Sequence, residues 1–491
     1  MIVLRNQTIS AFDISKTKSA ALLSQYGSKN NVIPSFLCFD ANSMSNKANM
    51  NRSAKQSRFN VLHKKGDCSL VWNTASDACV LLNDVETKKY ESTPALAISS
   101  DFFSLLYDLG IYVDEDLDEV FRVDLLRKRH AYSYPENNHI DVEILPTQTC
   151  NARCFYCFEQ KYTSLTMDNK TVNDVIQYLC SRIKPGQNVC FIWFGGEPLI
   201  GEHIIDAILN GVTSHFKDEI TFYSSITTNN SLITPRVMDK FAGLWNVRDV
   251  LTSLDGYREE HNKRKAYVGQ IFDAYSRTLE NIQQLIDSSI FTTCRINLDK
   301  DNICQLDDIL GDLQRFSVYS DFSIQLTTLR NKTDSPSPRS KYFAAEEYSD
   351  FYRLAIPKLY RLGFVKDPLS QLPKRESTNC IACALNKVVI NANGKLFRCV
   401  QDSLDDDNSV GDCTSGIRSN WNYTKWYSEI DNLGNACENC VFLPNCQGGC
   451  KQYRRAPSFD TTPCFRKKFY IDIVLDEIIS SYYGELKKCR T

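Results

Sequence analysis

Residues 139–157 read HIDVEILPTQTCNARCFYC. Ile140, Val142 and Ile144 alternate with Asp141 and Glu143, the period of a strand with one apolar and one polar face. Cys150, Cys154 and Cys157 follow where that strand should end, in a C-x3-C-x2-C pattern. Three thiolates at this spacing can wrap one face of a [4Fe–4S] cluster and leave the fourth iron without a protein ligand. An iron left open in this way can bind a small molecule directly.

The rhythm set by that strand continues downstream. VCFIWF (189–194), ITFYSSITT (220–228), DVLTSLD (249–255), FTTCRINLD (291–299) and DFSIQLTTL (321–329) read as five further strands. Between them lie helical patterns such as Val172, Val175, Ile176 and Leu179, and a helix opened by Thr234-Pro235. Strands alternating with helices predict a parallel sheet, and six such units predict an α/β fold: a partial, TIM-like (β/α)6 barrel with its chemistry at the C-terminal strand ends.

The flanks have a different texture. Residues 41–58 have almost no apolar content and read as a flexible linker. Phe59, Val61 and His63 then alternate, KKGD makes a turn, and Cys68, Leu70 and Trp72 alternate again, which predicts a hairpin. DFFSLLYDLG (101–110) predicts a helix stopped by Gly110. After Arg375 periodicity fades and cysteines dominate. A segment with so little core needs another source of cohesion, and metal clusters are the natural one.

The whole chain has 491 residues, 43% of them hydrophobic, with a formal charge of −2. That balance excludes a strong attraction to nucleic acid or to anionic membranes. No apolar run is long enough to span a bilayer, and the N-terminus lacks a signal-peptide core, so the reading is cytoplasmic. In a reducing compartment twenty cysteines point to metal or redox chemistry rather than disulfides. Cys38, Cys68, Cys79, Cys180, Cys190, Cys294, Cys304 and Cys489 are scattered and read as small buried hydrophobes.

With Gly195-Gly196-Glu197-Pro198 after the second strand, the cysteine triad and its aromatic Tyr156 resemble the signature of radical S-adenosylmethionine (SAM) enzymes. The resemblance implies that the open iron chelates SAM and that one electron from the cluster releases a 5′-deoxyadenosyl radical. It implies that Gly195, Gly196, Glu197 and Pro198 contact the SAM amino group. It also places Ser253 and Asp255 of SLDG at the ribose, and Arg295 at the carboxylate, which a guanidinium binds bidentately. In HNKRK (261–265), either Arg264 or Lys265 would take a further SAM-contacting position. A structural zinc site is the rival for the triad, which lacks a nearby fourth ligand.

Cys437-x2-Cys440-x5-Cys446-x3-Cys450 has a spacing that chance would give in roughly one chain in a thousand of this composition. With Cys383, Gly394 and Cys399 upstream and Cys464 downstream, it resembles the SPASM extension of radical SAM enzymes, which carries two auxiliary [4Fe–4S] clusters. The resemblance assigns Cys383, Cys399 and Cys450 to auxiliary cluster I and Cys437, Cys440, Cys446 and Cys464 to auxiliary cluster II. Cys380, Cys413 or no residue at all would complete the first. Cys413 itself reads as buried. Zinc fits the spacing of this region equally well when it is taken alone.

The chain thus divides into residues 1–138, resembling a winged-helix-like peptide-recognition module, a radical SAM core over 139–341, and a linker helix with the SPASM region over 342–491. Three functions are consistent with it. One is a maturase forming a thioether or carbon–carbon cross-link in a ribosomally made precursor peptide with a leader. The others are an anaerobic sulfatase-maturating enzyme that makes formylglycine, and a non-enzymatic scaffold. A low-potential donor such as flavodoxin or ferredoxin would supply electrons. Three [4Fe–4S] clusters predict about twelve irons per chain after anaerobic reconstitution. Iron near about four with matching zinc, by elemental analysis, would remove the auxiliary clusters.

Overall fold

The N-terminal part of the chain folds into two small antiparallel sheets. In this computed structural model the described residues are 1–5, 53–97, 100–132, 138–159, 165–269, 273–331, 338–373, 380–402, 405–428, 434–455, 457–458, 460 and 462–488. Seven short strands come first: β1 (Ile2–Arg5), β2 (Ser53–Gln56), β3 (Asn60–Lys65), β4 (Cys68–Asn73), β5 (Cys79–Asn83), β6 (Ala95–Ala97) and β7 (Tyr112–Asp114). They form sheets of order β1-β5-β4-β3 and β6-β2-β7. The expected hairpin is β3–β4, and the expected helix spans Asp101–Asp108 with Gly110 at φ +71° behind it. The expected linker is corrected at its end. Ser53–Gln56 is the central strand of its sheet, with Ala54 buried and neighbours on both sides. Residues 41–52 lie outside the described residues.

The six core strands stand within two residues of where the alternation puts them: β8 (His139–Ile144), β9 (Asn188–Trp193), β10 (Thr221–Thr227), β11 (Val247–Leu254), β12 (Phe291–Leu298) and β13 (Phe322–Thr328). They pair in chain order, all parallel. The helices between them cover one face. There Ile140, Val142, Phe191, Trp193, Ile226 and Val250 meet Val175, Leu179, Ile205, Ile208 and Phe241. By alternation the other face carries Asp141, Glu143, Ser225, Ser253, Arg295 and Asn297. The curved sheet therefore has an apolar back and a polar inner wall, and it does not close into a barrel.

The cysteine-rich region continues the same sheet. β14 (Lys387–Ile390) runs parallel to β8, from Lys387 opposite Asp141 to Ile390 opposite Ile144. A buried ion pair, Lys387 Nζ to Glu143 at 2.7 Å, crosses this seam. β15 (Lys395–Phe397), β16 (Gly411–Asp412) and β17 (Gly416–Ile417) extend the sheet outward.

The sequence reading left out the helices Asp84–Glu91, Glu119–Tyr132 and the last one, which matters most for the joint between the chain's two ends. Ile471, Val474, Leu475, Ile478 and Ile479 form the stripe of an 18-residue helix, Ile471–Lys488, packed on Leu70, Trp72 and Leu81 of the N-terminal sheet beside Phe442. The N-terminal module is therefore built onto the cysteine-rich region. Thr74 Oγ1 also donates to the Val441 carbonyl at 2.5 Å and Arg58 to the Glu438 carbonyl at 2.9 Å. Among the scattered cysteines, Cys68, Cys79, Cys190 and Cys294 are buried, Cys180 is half-buried, and Cys38 and Cys489 lie outside the described residues. Cys304 is exposed, a correction: it sits in the solvent-facing turn Ile303–Gln305 that leads into a helix. No helix among the described residues is long and apolar enough to cross a membrane.

Leu475 is 1% exposed at the centre of this joint. Leu475→Ala should cost about 2–5 kcal/mol, read as a lowered denaturation midpoint. Ser481→Ala, on the exposed side of the same helix, should stay within about 0.5 kcal/mol of the parent.

Candidate functional site at the strand ends

The triad loop leaves β8 and lies directly on the glycine pair that ends β9. Gly196 N donates to the Thr147 carbonyl at 3.1 Å and Glu197 N to the Thr149 carbonyl at 2.9 Å. A Cβ on Gly195 would stand 2.2 Å from the Thr147 oxygen, and one on Gly196 would stand 2.4 Å from that of Thr149. Gly195 also has φ +123°, which side chains disfavour. The pair is a seat for the loop.

Glu197 is fully buried. Its carboxylate accepts from Thr228 Oγ1 at 2.8 Å, Asn229 N at 2.7 Å and Leu199 N at 3.2 Å, and burial pushes its pKa up to about 7. Pro198 begins the turn Pro198–Gly201. Asn229 then reaches the loop, donating to Asn151 Oδ1 at 2.8 Å and to Cys150 Sγ at 3.8 Å. Cys150, Cys154 and Cys157 lie within electrostatic reach of one another.

Beside the triad, Lys265 Nζ donates to Ser253 Oγ at 2.7 Å and pairs with Asp255 Oδ2 at 3.3 Å. Asp255 is fully buried and also accepts from Tyr156 Oη at 2.7 Å and Asn297 Nδ2 at 2.8 Å. Burial opposes its charge, yet Lys265 and these donors hold it below the usual carboxylate range. His261, which accepts from Asp255 N at 3.2 Å, is pushed down to about 3 by burial and by Lys265, and is neutral. The structure separates the two basic candidates. Arg264 forks onto Asp299 at 2.8 and 3.0 Å with its guanidinium 5.5 Å from the centre of the Phe155 ring, whereas Lys265 is the one within electrostatic reach of Cys150 and Cys154. Among the described residues Arg295 donates through Nε, to Gln325 Oε1 at 2.8 Å.

The remaining cysteines form two groups from distant segments. Cys380 and Cys383 share a hydrogen bond that favours the thiolate on Cys380 and the thiol on Cys383, and Cys399 and Cys450 lie within electrostatic reach of Cys380. Cys446 has Cys464, Cys437 and Cys440 around it. Cys413 belongs to neither group; it is buried in the helix-side core near Tyr178. Arg398, 1% exposed, donates to the carbonyls of Ala382, Lys387 and Ala384, clamping the Cys380–Cys383 turn to the strand before Cys399. A Cβ on Gly449 would stand 1.7 Å from the Pro463 carbonyl, which accepts from Cys450 N at 2.9 Å. Among the described residues no three His, Cys, Asp or Glu side chains converge as ligands of a single metal ion.

Asn229, Asn297 and Arg398 were missed in the sequence. Two had a signal: TTNN is a polar quartet closing a strand, and Asn297 follows Arg295 by the two-residue period of the inner wall.

A model described as the Radical SAM superfamily matches residues 144–313, the span that holds the triad, the glycine pair and Lys265. The chain carries a radical SAM domain. It is 23% identical over 400 residues to the radical SAM cyclopropyl synthase TigE of Paramaledivibacter caminithermalis, covering 76% of this chain and 82% of that protein. It is 24% identical over 347 residues to the cysteine-type anaerobic sulfatase-maturating enzyme of Clostridium novyi, covering 64% of this chain and 87% of the relative. The solved structure of native anSMEcpe with bound AdoMet and Cp18Cys peptide shares the fold, with a TM-score of 0.55 at 15% identity over 72% of this chain and 100% of its own.

Because the triad loop rests on the glycines, Gly196→Ala should push it off its seat. Reconstituted protein should lose about a third of its iron and its SAM-perturbed cluster EPR signal while the rest of the iron stays. Full iron with an unaltered signal would show that the seat is dispensable.

Proposed function

We propose that the protein is a SAM-dependent maturase that modifies a ribosomally made precursor peptide, forming a thioether or carbon–carbon cross-link. The observation that carries this reading is the gathering of eleven cysteines into one group of three and two of four, beside a radical SAM domain. Cys150, Cys154 and Cys157 would hold the SAM-binding [4Fe–4S] cluster. Cys380, Cys383, Cys399 and Cys450 would hold auxiliary cluster I, and Cys437, Cys440, Cys446 and Cys464 auxiliary cluster II. The thiols fit such a group. Burial pushes Cys150 and Cys446 up to about 11 and Cys154 and Cys399 up to about 12, so these sulfurs ionise only against a bound cation.

When bound, the cluster and SAM supply a 5′-deoxyadenosyl radical that takes a hydrogen atom from substrate. The chain's own residues position and shield. Gly195, Gly196, Glu197 and Pro198 would contact the SAM amino group, and the glycine pair seats the triad loop. Ser253 and Asp255 would contact the ribose; Lys265 holds both, and Tyr156 and Asn297 orient the Asp255 carboxylate. The terminal nitrogens of Arg295 would take the SAM carboxylate. Among the described residues β3 is the edge strand of its sheet, and that edge would take a leader strand by strand addition. The protein would work in the cytoplasm with flavodoxin or ferredoxin as donor.

A second reading, formylglycine formation, is favoured by the likeness to the Clostridium novyi enzyme and to a structure holding a cysteine peptide. Mass spectrometry decides between them. A short cysteine-containing precursor peptide, if the gene's neighbourhood encodes one, should lose hydrogen and gain a linkage resistant to alkylation, whereas a sulfatase peptide should stay unchanged. A new aldehyde on the sulfatase peptide would establish the second reading instead. Replacing Cys150, Cys154 and Cys157 together by Ala should abolish 5′-deoxyadenosine yet leave about two thirds of the iron.

A further inference from the structure

Phe155 lies inside the triad loop, between Cys154 and Tyr156, and two cations bear on its ring. Lys341 Nζ is 4.3 Å from the ring centre and the Arg264 guanidinium carbon 5.5 Å from it. Arg264 belongs to the helix Glu259–Lys265, and Lys341 to the turn Arg339–Lys341 past β13. Both cations are anchored by acids. Arg264 forks onto Asp299, and Lys341 Nζ stands 3.0 Å from Asp301 Oδ2 and 3.8 Å from Asp299 Oδ2. Asp299 is fully buried just past β12, and Lys300 N donates to the Lys341 carbonyl at 2.9 Å. The end of β12 thus fixes both cations, and the ring is the partner they hold.

Two different devices hold the triad loop. Before Cys150 its main chain rests on Gly195 and Gly196. From Phe155 onward aromatic side chains hold it as well: Phe155 in the clamp, Tyr156 on Asp255 Oδ2 at 2.7 Å, and Phe158 stacked on Phe194 with ring centres 6.1 Å apart. Phe155 is half-buried, and its neighbours in the chain are a triad thiol and the tyrosine that orients Asp255. A ring that swung free would carry both with it. We propose that Lys341, with Arg264, is a positioning residue for SAM: it clamps Phe155 and thereby keeps Cys154 and Tyr156 in register with Asp255. The clamp gives Arg264 a part in the site that needs no direct contact with SAM. The inference needs the radical SAM domain and is independent of the peptide-maturase reading.

The test is a double-mutant cycle on Lys341 and Phe155. One readout is the dissociation constant of SAM for the iron-loaded protein, by anaerobic equilibrium dialysis. The other is hydrogen exchange of residues 150–158 in the iron-free protein. Lys341→Met keeps the stem and removes the charge, and Phe155→Leu keeps an apolar side chain and removes the ring. Each should weaken SAM binding about threefold to thirtyfold. In the Phe155→Leu background Lys341→Met loses only its contacts with Asp299 and Asp301, and it should then cost less than about twofold. Lys341→Arg, which restores a cation, should bring the affinity back to within about twofold of the parent. In iron-free Lys341→Met the amides of 150–158 should exchange about threefold or more faster, while those of β8 and β9 keep the parent rate. Parent affinity for SAM in Lys341→Met, or losses that add across the cycle, overturn the proposal. So does faster exchange throughout the sheet, which would mark a general loss of stability. Should Lys341→Met fail to hold iron, the exchange cycle decides alone: acceleration by Lys341→Met that is equal with and without the Phe155 ring refutes the clamp.

Discussion

The strand-end site depends on a contact between backbones. The carbonyls of Thr147 and Thr149 rest on Gly195 and Gly196 so closely that no side chain fits between them. A flexible side chain can yield to a neighbour, whereas two main chains at this distance cannot, so the contact fixes the triad loop against the end of β9. Glu197 then carries the reference onward. Its buried carboxylate joins the end of β10 at Thr228 and Asn229, and Asn229 returns to the loop at Asn151. Three segments far apart in sequence are thereby held in one frame before any cofactor is considered.

Charge is arranged with the same economy. Lys265 and Asp255 are both almost fully buried, and such a pair gains little net stability because each ion has lost its water. Their value is positional. Tyr156 and Asn297 satisfy the carboxylate, Ser253 accepts from the ammonium, and the neutral His261 accepts from the Asp255 backbone, so neither ion is free to turn. Arg264 and Lys265 are neighbours on one helix, where successive side chains point about 100° apart. The Asp299 fork holds Arg264 over the Phe155 ring, and Lys265 is left to reach Ser253 and Asp255.

The cysteine-rich region shows how a segment with few apolar residues acquires shape. β14 borrows the core sheet through β8, and Arg398 ties the Cys380–Cys383 turn to the strand before Cys399 through three carbonyls. Gly449 lets the chain pass against Pro463, which brings Cys450 and Cys464 to one crossing although they belong to different thiol groups. Apolar cover comes from elsewhere. Phe442 and the last helix are sheltered by Leu70 and Trp72 of the N-terminal sheet. The module at one end of the chain thus completes the core of the other.

What the sequence disclosed follows from the range of each interaction. Strand alternation and cysteine spacing are local, so β8 to β13 and the eleven thiols could be located from residues 139–464 alone. The grouping of Cys380 rather than Cys413 with Cys399 is not local. It depends on β14 docking beside β8, which sets the Cys380–Cys383 turn over Cys399 and leaves Cys413 among helix-side apolar residues. Arg264 and Lys265 were indistinguishable for a related reason, since helical phase about Ala266 decides between them and no residue type marks that phase. The helix Ile471–Lys488 was legible in principle: its stripe at 471, 474, 475, 478 and 479 has the spacing of an amphipathic helix. That stripe is the apolar joint between the cysteine-rich region and the N-terminal sheet.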